Sequence, residues 1–186
     1  MVLDKLFNSK KKELKISSRE INSEELKSFL SANKDIKSID LFFCKLHQGC
    51  MKVITDFLRE NDTIESLHLK NCEIKAEGII QLSDAISYNS SLKYVSIASN
   101  PGVYEVEAVK ALKIAIKSNK SIVLIEHYDH GTDCQFLSHT LIFPQLGSEL
   151  IQISNYWDEI LEEVSVNQKI AIAVQNSELV EQSYDM

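Results

Sequence analysis

An α/β fold of stacked strand-and-helix turns, with a parallel sheet along one side and helices along the other, is what this sequence predicts. Three observations predict it. Apolar residues recur in register from Ile36, Ile64, Leu92 and Ile122, at spacings of 28, 28 and 30 residues. A second apolar set at the spacing of one helix face recurs with them: Leu26 and Leu30, Ile54 and Leu58, Leu82 and Ile86, Leu112 and Ile116. An asparagine, Asn33, Asn61, Asn89 or Asn119, stands three residues before each start.

Each strand is predicted by alternation. Three and five positions after the first three starts come Ile39 and Leu41, Leu67 and Leu69, Val95 and Ile97; in the fourth copy Ile125 fits and His127 does not. The residues between these point to the opposite face of the sheet. That places Ser38, Asp40 and Phe42 beside Ser66, His68 and Lys70, then Tyr94, Ser96 and Ala98, then Leu124, Glu126 and Tyr128. Eight positions after each start stand Cys44, Cys72 and Asn100, and ten positions after stand Leu46, Ile74 and, breaking the pattern, Gly102.

The asparagines are predicted to stop the helices, because a short polar side chain tolerates the left-handed backbone that ends many of them. Leu14, Ile16, Ile21, Leu26 and Leu30 make a shorter, more polar first copy, as a terminal unit facing water requires. No single strand and helix can bury their apolar faces alone, so each unit is stable only against its neighbours.

The spacing L-x-x-L-x-L-x-x-(N/C)-x-L resembles the leucine-rich repeat family, in its long ribonuclease-inhibitor-like subclass, over roughly residues 11 to 130. The resemblance implies a curved solenoid with the sheet on the concave face and helices on the convex face, and a protein that binds other proteins. The stretch "ALKIAIKSNKSIVLIEHY" is also similar to the final repeats of the tropomodulin family, whose short solenoids end in a helix and bind actin. In its lysine-, isoleucine- and asparagine-leaning composition the chain looks like the repeat proteins that intracellular bacteria export into host cells, which would make it an effector.

The period is lost after residue 130. "GTDCQFLSHTLIFPQLGS" holds Gly131, Pro144 and Gly147 without helical spacing and is predicted as a loop over 131 to 147. Leu150, Ile153, Trp157, Ile160 and Val164 then predict an amphipathic helix over 149 to 164, with Ser148 as its N-cap. Asn167 with Ile170, Ile172 and Val174 fits either another stop and strand or a second helix over 167 to 180. Residues 148 to 180 are thus a C-terminal helical cap or an inserted last repeat, and the helix serves either as a lid or as a free face for a partner.

Composition bounds the function. In 186 residues, 44% hydrophobic and 25% charged, there is room for one globular domain with a sizeable core. A net charge of −7 argues against nucleic acid or an anionic membrane as the main partner, since both select concentrated lysine and arginine. "MVLDKLFNSKKKELK" has charge where a secretory signal needs an apolar stretch. A cytoplasmic monomer is expected, in the producing cell or, if exported, in a host.

Catalytic motifs are sparse. No phosphate-binding glycine run or G-x-S-x-G is present. His127, His130, Cys134 and His139 offer zinc-type ligands, but their spacings of 3, 4 and 5 match no common site. A small metal- or thiol-dependent enzyme centred on His127, His130 and Cys134 is the alternative reading. Cys44 and Cys72 read as small buried thiols, and Cys50, at a helix start, as a candidate for a lowered thiol pKa. The main reading is a non-enzymatic protein-interaction module without a cofactor. It binds its partner through Asp40, Phe42, His68, Lys70, Tyr94, Glu126 and Tyr128, with the three aromatics as anchors.

Overall fold

The computed structural model describes residues 3–127 and 147–184, without the side chains of residues 147, 148, 150 and 176–184. The loop expected over 131 to 147, with His130, Cys134 and His139, lies almost wholly outside the described residues, as does Tyr128. Among the described residues the chain forms strands β1 (Phe7–Asn8), β2 (Glu13–Ser17), β3 (Glu20–Ile21), β4 (Ser38–Phe42), β5 (Lys45–Leu46), β6 (Ser66–His68), β7 (Tyr94–Ser96) and β8 (Leu124–Glu126). They alternate with helices α1 (Ser23–Ala32), α2 (Cys50–Glu60), α3 (Ala76–Tyr88) and α4 (Val106–Ser118), and a long helix α5 (Gly147–Tyr184) follows.

The main sheet has the order β1-β2-β4-β6-β7-β8, antiparallel only between β1 and β2, so it is a parallel sheet whose neighbours are joined through helices. Inward-facing side chains of strands and helices meet in one core. Ile39, Leu41, Leu67, Leu69 and Ile97 are fully buried, as are Leu26, Ile54, Leu58, Leu82, Ile86, Leu112 and Ile116 from the helices. The residues set in register by the 28-residue period are therefore the ones that face each other.

The asparagines do a different job from the one their position predicts. None has left-handed backbone: φ is −123° at Asn33, −106° at Asn61, −84° at Asn89 and −80° at Asn119. They form a ladder of side-chain hydrogen bonds instead. The Asn89 amide donates to the carbonyls of Leu58 and Asn61, both at 2.8 Å, and Asn119 donates to Ile86 and Asn89 at 2.9 and 2.8 Å. Each Oδ1 accepts two backbone N–H groups of the following turn: Ser91 and Leu92 for Asn89, Ser121 and Ile122 for Asn119. One side chain thus satisfies four backbone groups that the end of a helix leaves buried and orphaned.

A second ladder runs beneath the far end of the strands. The Cys44 thiol donates to the Ile16 carbonyl at 3.5 Å, the Cys72 thiol to Leu41 at 3.0 Å, and the Asn100 amide to Leu69 at 2.7 Å. The chain enters this ladder through left-handed backbone, with φ of 55° at Phe43 and Asn71 and 58° at Ser99. Gly102 breaks the leucine pattern because a Cβ there would lie 2.7 Å from the Lys75 carbonyl, where the Gly102 N–H donates to Ile74 at 2.9 Å.

The C-terminal region is one 38-residue helix, α5, with Ser148 inside its first turn and Asn167 in mid-helix, so residues 167 to 180 form neither a strand nor a separate second helix. It packs along α4 and reaches β8. Ile153, Trp157, Ile160 and Val164 are buried, and the Trp157 indole donates to the Val103 carbonyl at 3.2 Å. Lys113 pairs with Glu159 and Lys120 with Glu163 at the rim. Asn167 donates to the carbonyls of Asn119 and Ile122, both at 3.1 Å, and so adds a rung to the asparagine ladder from a helix.

Candidate protein-binding face

The sheet face turned away from the helices carries the side chains that the core does not use. Its rows follow from the strand register. Lys15, Asp40, His68, Ser96 and Glu126 are successive partners across β2, β4, β6, β7 and β8, and Glu13, Ser38, Ser66, Tyr94 and Leu124 form the row beside them. A third row begins with Ser17 and Phe42, and the Lys70 ammonium lies 5.8 Å from the centre of the Phe42 ring. A shallow cleft of about 440 Å³ lies over the middle row, bordered by Phe42 and Lys70.

The structure brings Asp40, Phe42, His68, Lys70 and Glu126 to this one cleft, and sets Tyr94 in the neighbouring row. Phe42 and Tyr94 are each about two-fifths exposed, and Leu124, beside Tyr94, slightly more. Two positions expected on the open face are closed over: Ser96 and Ala98 are 2% and 1% exposed. Small side chains between larger neighbours are shaded from solvent although they point to the same side. The hydrogen bond of 2.7 Å between the Ser66 hydroxyl and the His68 imidazole, and the place of Lys15 in the middle row, have no signal in the 28-residue spacing. The first turn is three residues shorter than the next, since Lys15 pairs with Asp40, and Lys15 lies between Leu14 and Ile16 of the shorter first copy.

Charges around the face are mostly matched. The Lys15 ammonium donates to the Glu13 carboxylate at 2.9 Å, and this hydrogen bond raises the lysine pKa. Below the rows, Glu65 is held by Lys37 at 2.9 Å, which lowers its pKa, with Lys93 at 3.8 Å on the other side. A second groove, of about 590 Å³, runs on the helix side between α1 and α2. Its charges alternate and neutralise one another locally, as in the 2.7 Å pair of Lys52 and Asp56, and it reads as the spacing between two adjacent surface helices.

Cys44, Cys50 and Cys72 are structural. Burial pushes the Cys72 thiol up to about 12 and raises Cys44 as well. Cys50, expected to be lowered at its helix start, is also raised, because burial outweighs the helix terminus and its thiol donates to the Ile21 carbonyl at 3.1 Å. The His127 ring stacks on Trp157 at 3.9 Å between centroids, and His130 and Cys134, grouped with it in the alternative reading, lie outside the described residues. Among the described residues no group of three or more His, Cys, Asp or Glu is placed to hold a metal, and no helix is long and apolar enough to cross a membrane.

No family model and no curated protein matches the sequence. Solved structures do match. The chain is similar to "Leiomodin-1 Actin-Binding Site 2", with 18% identity and a TM-score of 0.63, over 94% of this chain and 89% of that one. It is also similar to the tropomodulin C-terminal domain of Caenorhabditis elegans, with 11% identity and a TM-score of 0.52, over 89% of this chain and 95% of that one. At these identities the likeness is one of fold, and the fold is the leucine-rich-repeat-like α/β arrangement of those domains.

Proposed function

We propose that this protein is a non-enzymatic protein-interaction module that binds its partner through the open sheet face of a short solenoid, with α5 as the cap that closes the stack. The observation that carries the reading is the exposure of Phe42, Tyr94 and Leu124 on a sheet whose other face is fully used by the core. Exposed large side chains on a rigid sheet supply an interface without ordering cost, and aromatics are frequent anchors. His68, Lys70, Asp40 and Glu126 form the polar part of that interface, and Tyr128 continues the face in the sequence.

The likeness to leiomodin-1's actin-binding site 2 makes actin the first partner to test. Export into a host cell rests on composition alone, and the fold likeness adds nothing to it. The test is a fluorescence titration of the full chain with purified monomeric actin, followed, if actin fails, by capture and titration of a partner from lysate. Saturable binding that Phe42→Ala and Tyr94→Ala each weaken by more than about fivefold is expected, since anchor residues contribute over about 1 kcal/mol. Failure with actin alone removes actin and leaves the module. A partner that binds both variants at full strength moves the site off the sheet.

A further inference from the structure

The middle row of the sheet face is unbalanced in a way that names a ligand chemistry. Of its charged groups, Lys15 is bound to Glu13, whereas the carboxylates of Asp40 and Glu126 make no ion pair or hydrogen bond among the described residues. Between them stand His68, already engaged through its ring nitrogen with Ser66, and Ser96. Ser96 is 2% exposed, and its hydroxyl has no hydrogen-bond partner among the described residues. A buried hydroxyl left without a partner is unusual, because desolvating it without a compensating bond is costly. Here it lies in the floor of a cleft, next to an exposed carboxylate.

Resting on the sheet face as the partner site, we infer that the cleft over Ser96 and Glu126 receives an arginine side chain of the partner. Adjacent strands lie about 4.8 Å apart, so the Glu126 carboxylate and the Ser96 hydroxyl are within the span of one planar guanidinium. Its fork of five N–H donors pairs with the carboxylate through one edge and gives Ser96 a donor through another. A lysine ammonium is a point charge, and it serves Glu126 without reaching Ser96 equally well. Asp40, three strands away, extends the negative potential across the row toward a second cation. An anionic ligand is disfavoured, since the lysine of this row is already paired and Lys70 lies over Phe42.

The test uses the full chain and a defined probe. Nα-acetyl-arginine amide is titrated into isotope-labelled protein while the imidazole of His68 and the backbone amides of Ser96 and Glu126 are followed by NMR, with the lysine and citrulline analogues as controls. Saturable shifts confined to these residues are expected for arginine, at least fivefold weaker for lysine and absent for citrulline. Glu126→Gln, at an exposed position that leaves folding intact, should remove saturation, and Ser96→Ala should narrow the gap between arginine and lysine. Shifts that never saturate, or that are equal for arginine and lysine, would overturn the guanidinium site. If that happens while Phe42→Ala and Tyr94→Ala still weaken the partner, only this inference falls; if arginine saturates but those variants bind the partner normally, its docking role falls with the proposed function.

Discussion

The two ends of the stack are closed by different means. At the N-terminal end β1 pairs antiparallel with β2, so the sheet's first edge is continued by backbone hydrogen bonds, and the core is sealed by small pieces: Leu3 in a 3₁₀ turn, and Phe7 set edge-on against Phe29 with ring centres 5.4 Å apart. At the C-terminal end β8 pairs with β7 alone, and no strand among the described residues continues the sheet past its outer edge. Closure there falls to the side chains of α5, chiefly Trp157, Ile153, Ile160 and Val164, laid over α4. The N-terminal end is held by a strand pair close in sequence and by contacts to α1 about 22 residues on. The C-terminal end depends on one helix that returns from dozens of residues away, so single side chains should matter more there.

That difference can be broken at its strongest point. Trp157→Ala should lower stability by about 3–5 kcal/mol, through lost burial and the loss of its bond to Val103. Phe7→Ala, at a half-buried ring, should cost about half as much; comparable losses in urea unfolding would mean that the two closures are equivalent. The asparagine ladder sharpens the contrast. Asn119→Ala strands four backbone partners, three of them in buried hydrogen bonds, and should cost about 2–4 kcal/mol. Asn167→Ala should cost only about 1–2 kcal/mol, because the Oδ1 of Asn167 is already buried without a partner among the described residues, and its removal relieves part of the loss. A larger loss at Asn167 than at Asn119 would show that the helix rung is the stronger one.

Between the ends, the strand-end ladder gives a pH signature. Burial raises Cys72 from its ordinary value of 9.0 to about 12, so its contribution is fully present below about pH 9 and is lost as pH rises from there toward 12. Melting temperature should therefore fall more steeply over this window in the native protein than in Cys72→Ala; parallel slopes would exclude the thiol as the cause. A smaller effect, of opposite sign, is expected at Phe43. An exposed aromatic residue with φ of 55° is in a conformation that side chains of its kind rarely adopt, and the equivalent position in the next turn is Asn71. Phe43→Asn should raise stability by about 0.5–1 kcal/mol, and no gain would mean that its edge-on contact with Phe42 offsets the strain. Smallest of all, His68→Ala should change stability by no more than about 0.5 kcal/mol, since its place is on the face and not in the core.

Much of this architecture is legible in the chain. The 28-residue period marks the inward leucines and isoleucines, and with them the rows of the sheet face, because a strand that shifts by one residue would turn its whole apolar set to water. It also finds the asparagines, though not their work. Position alone suggests a left-handed stop, and only the packed neighbours show the orphaned carbonyls and N–H groups that each amide satisfies. Cys50 misleads for a related reason: its helix start is written locally, while the burial that raises its thiol comes from β3 and the core around it.

What the sequence by itself determined is the repeating part: which residues face inward, how strands align, and which side chains are offered on the open face. These follow from spacing, since the periods of helix and strand are properties of the backbone. The tertiary structure decided the rest. It made residues 147–184 a single helix with Asn167 as a rung, and set His127 against Trp157. It closed Ser96 and Ala98 over while leaving Phe42 and Tyr94 open. None of these has a period, because each depends on the size and charge of groups brought together from distant parts of the chain. Contact between such groups exists only once the stack has formed.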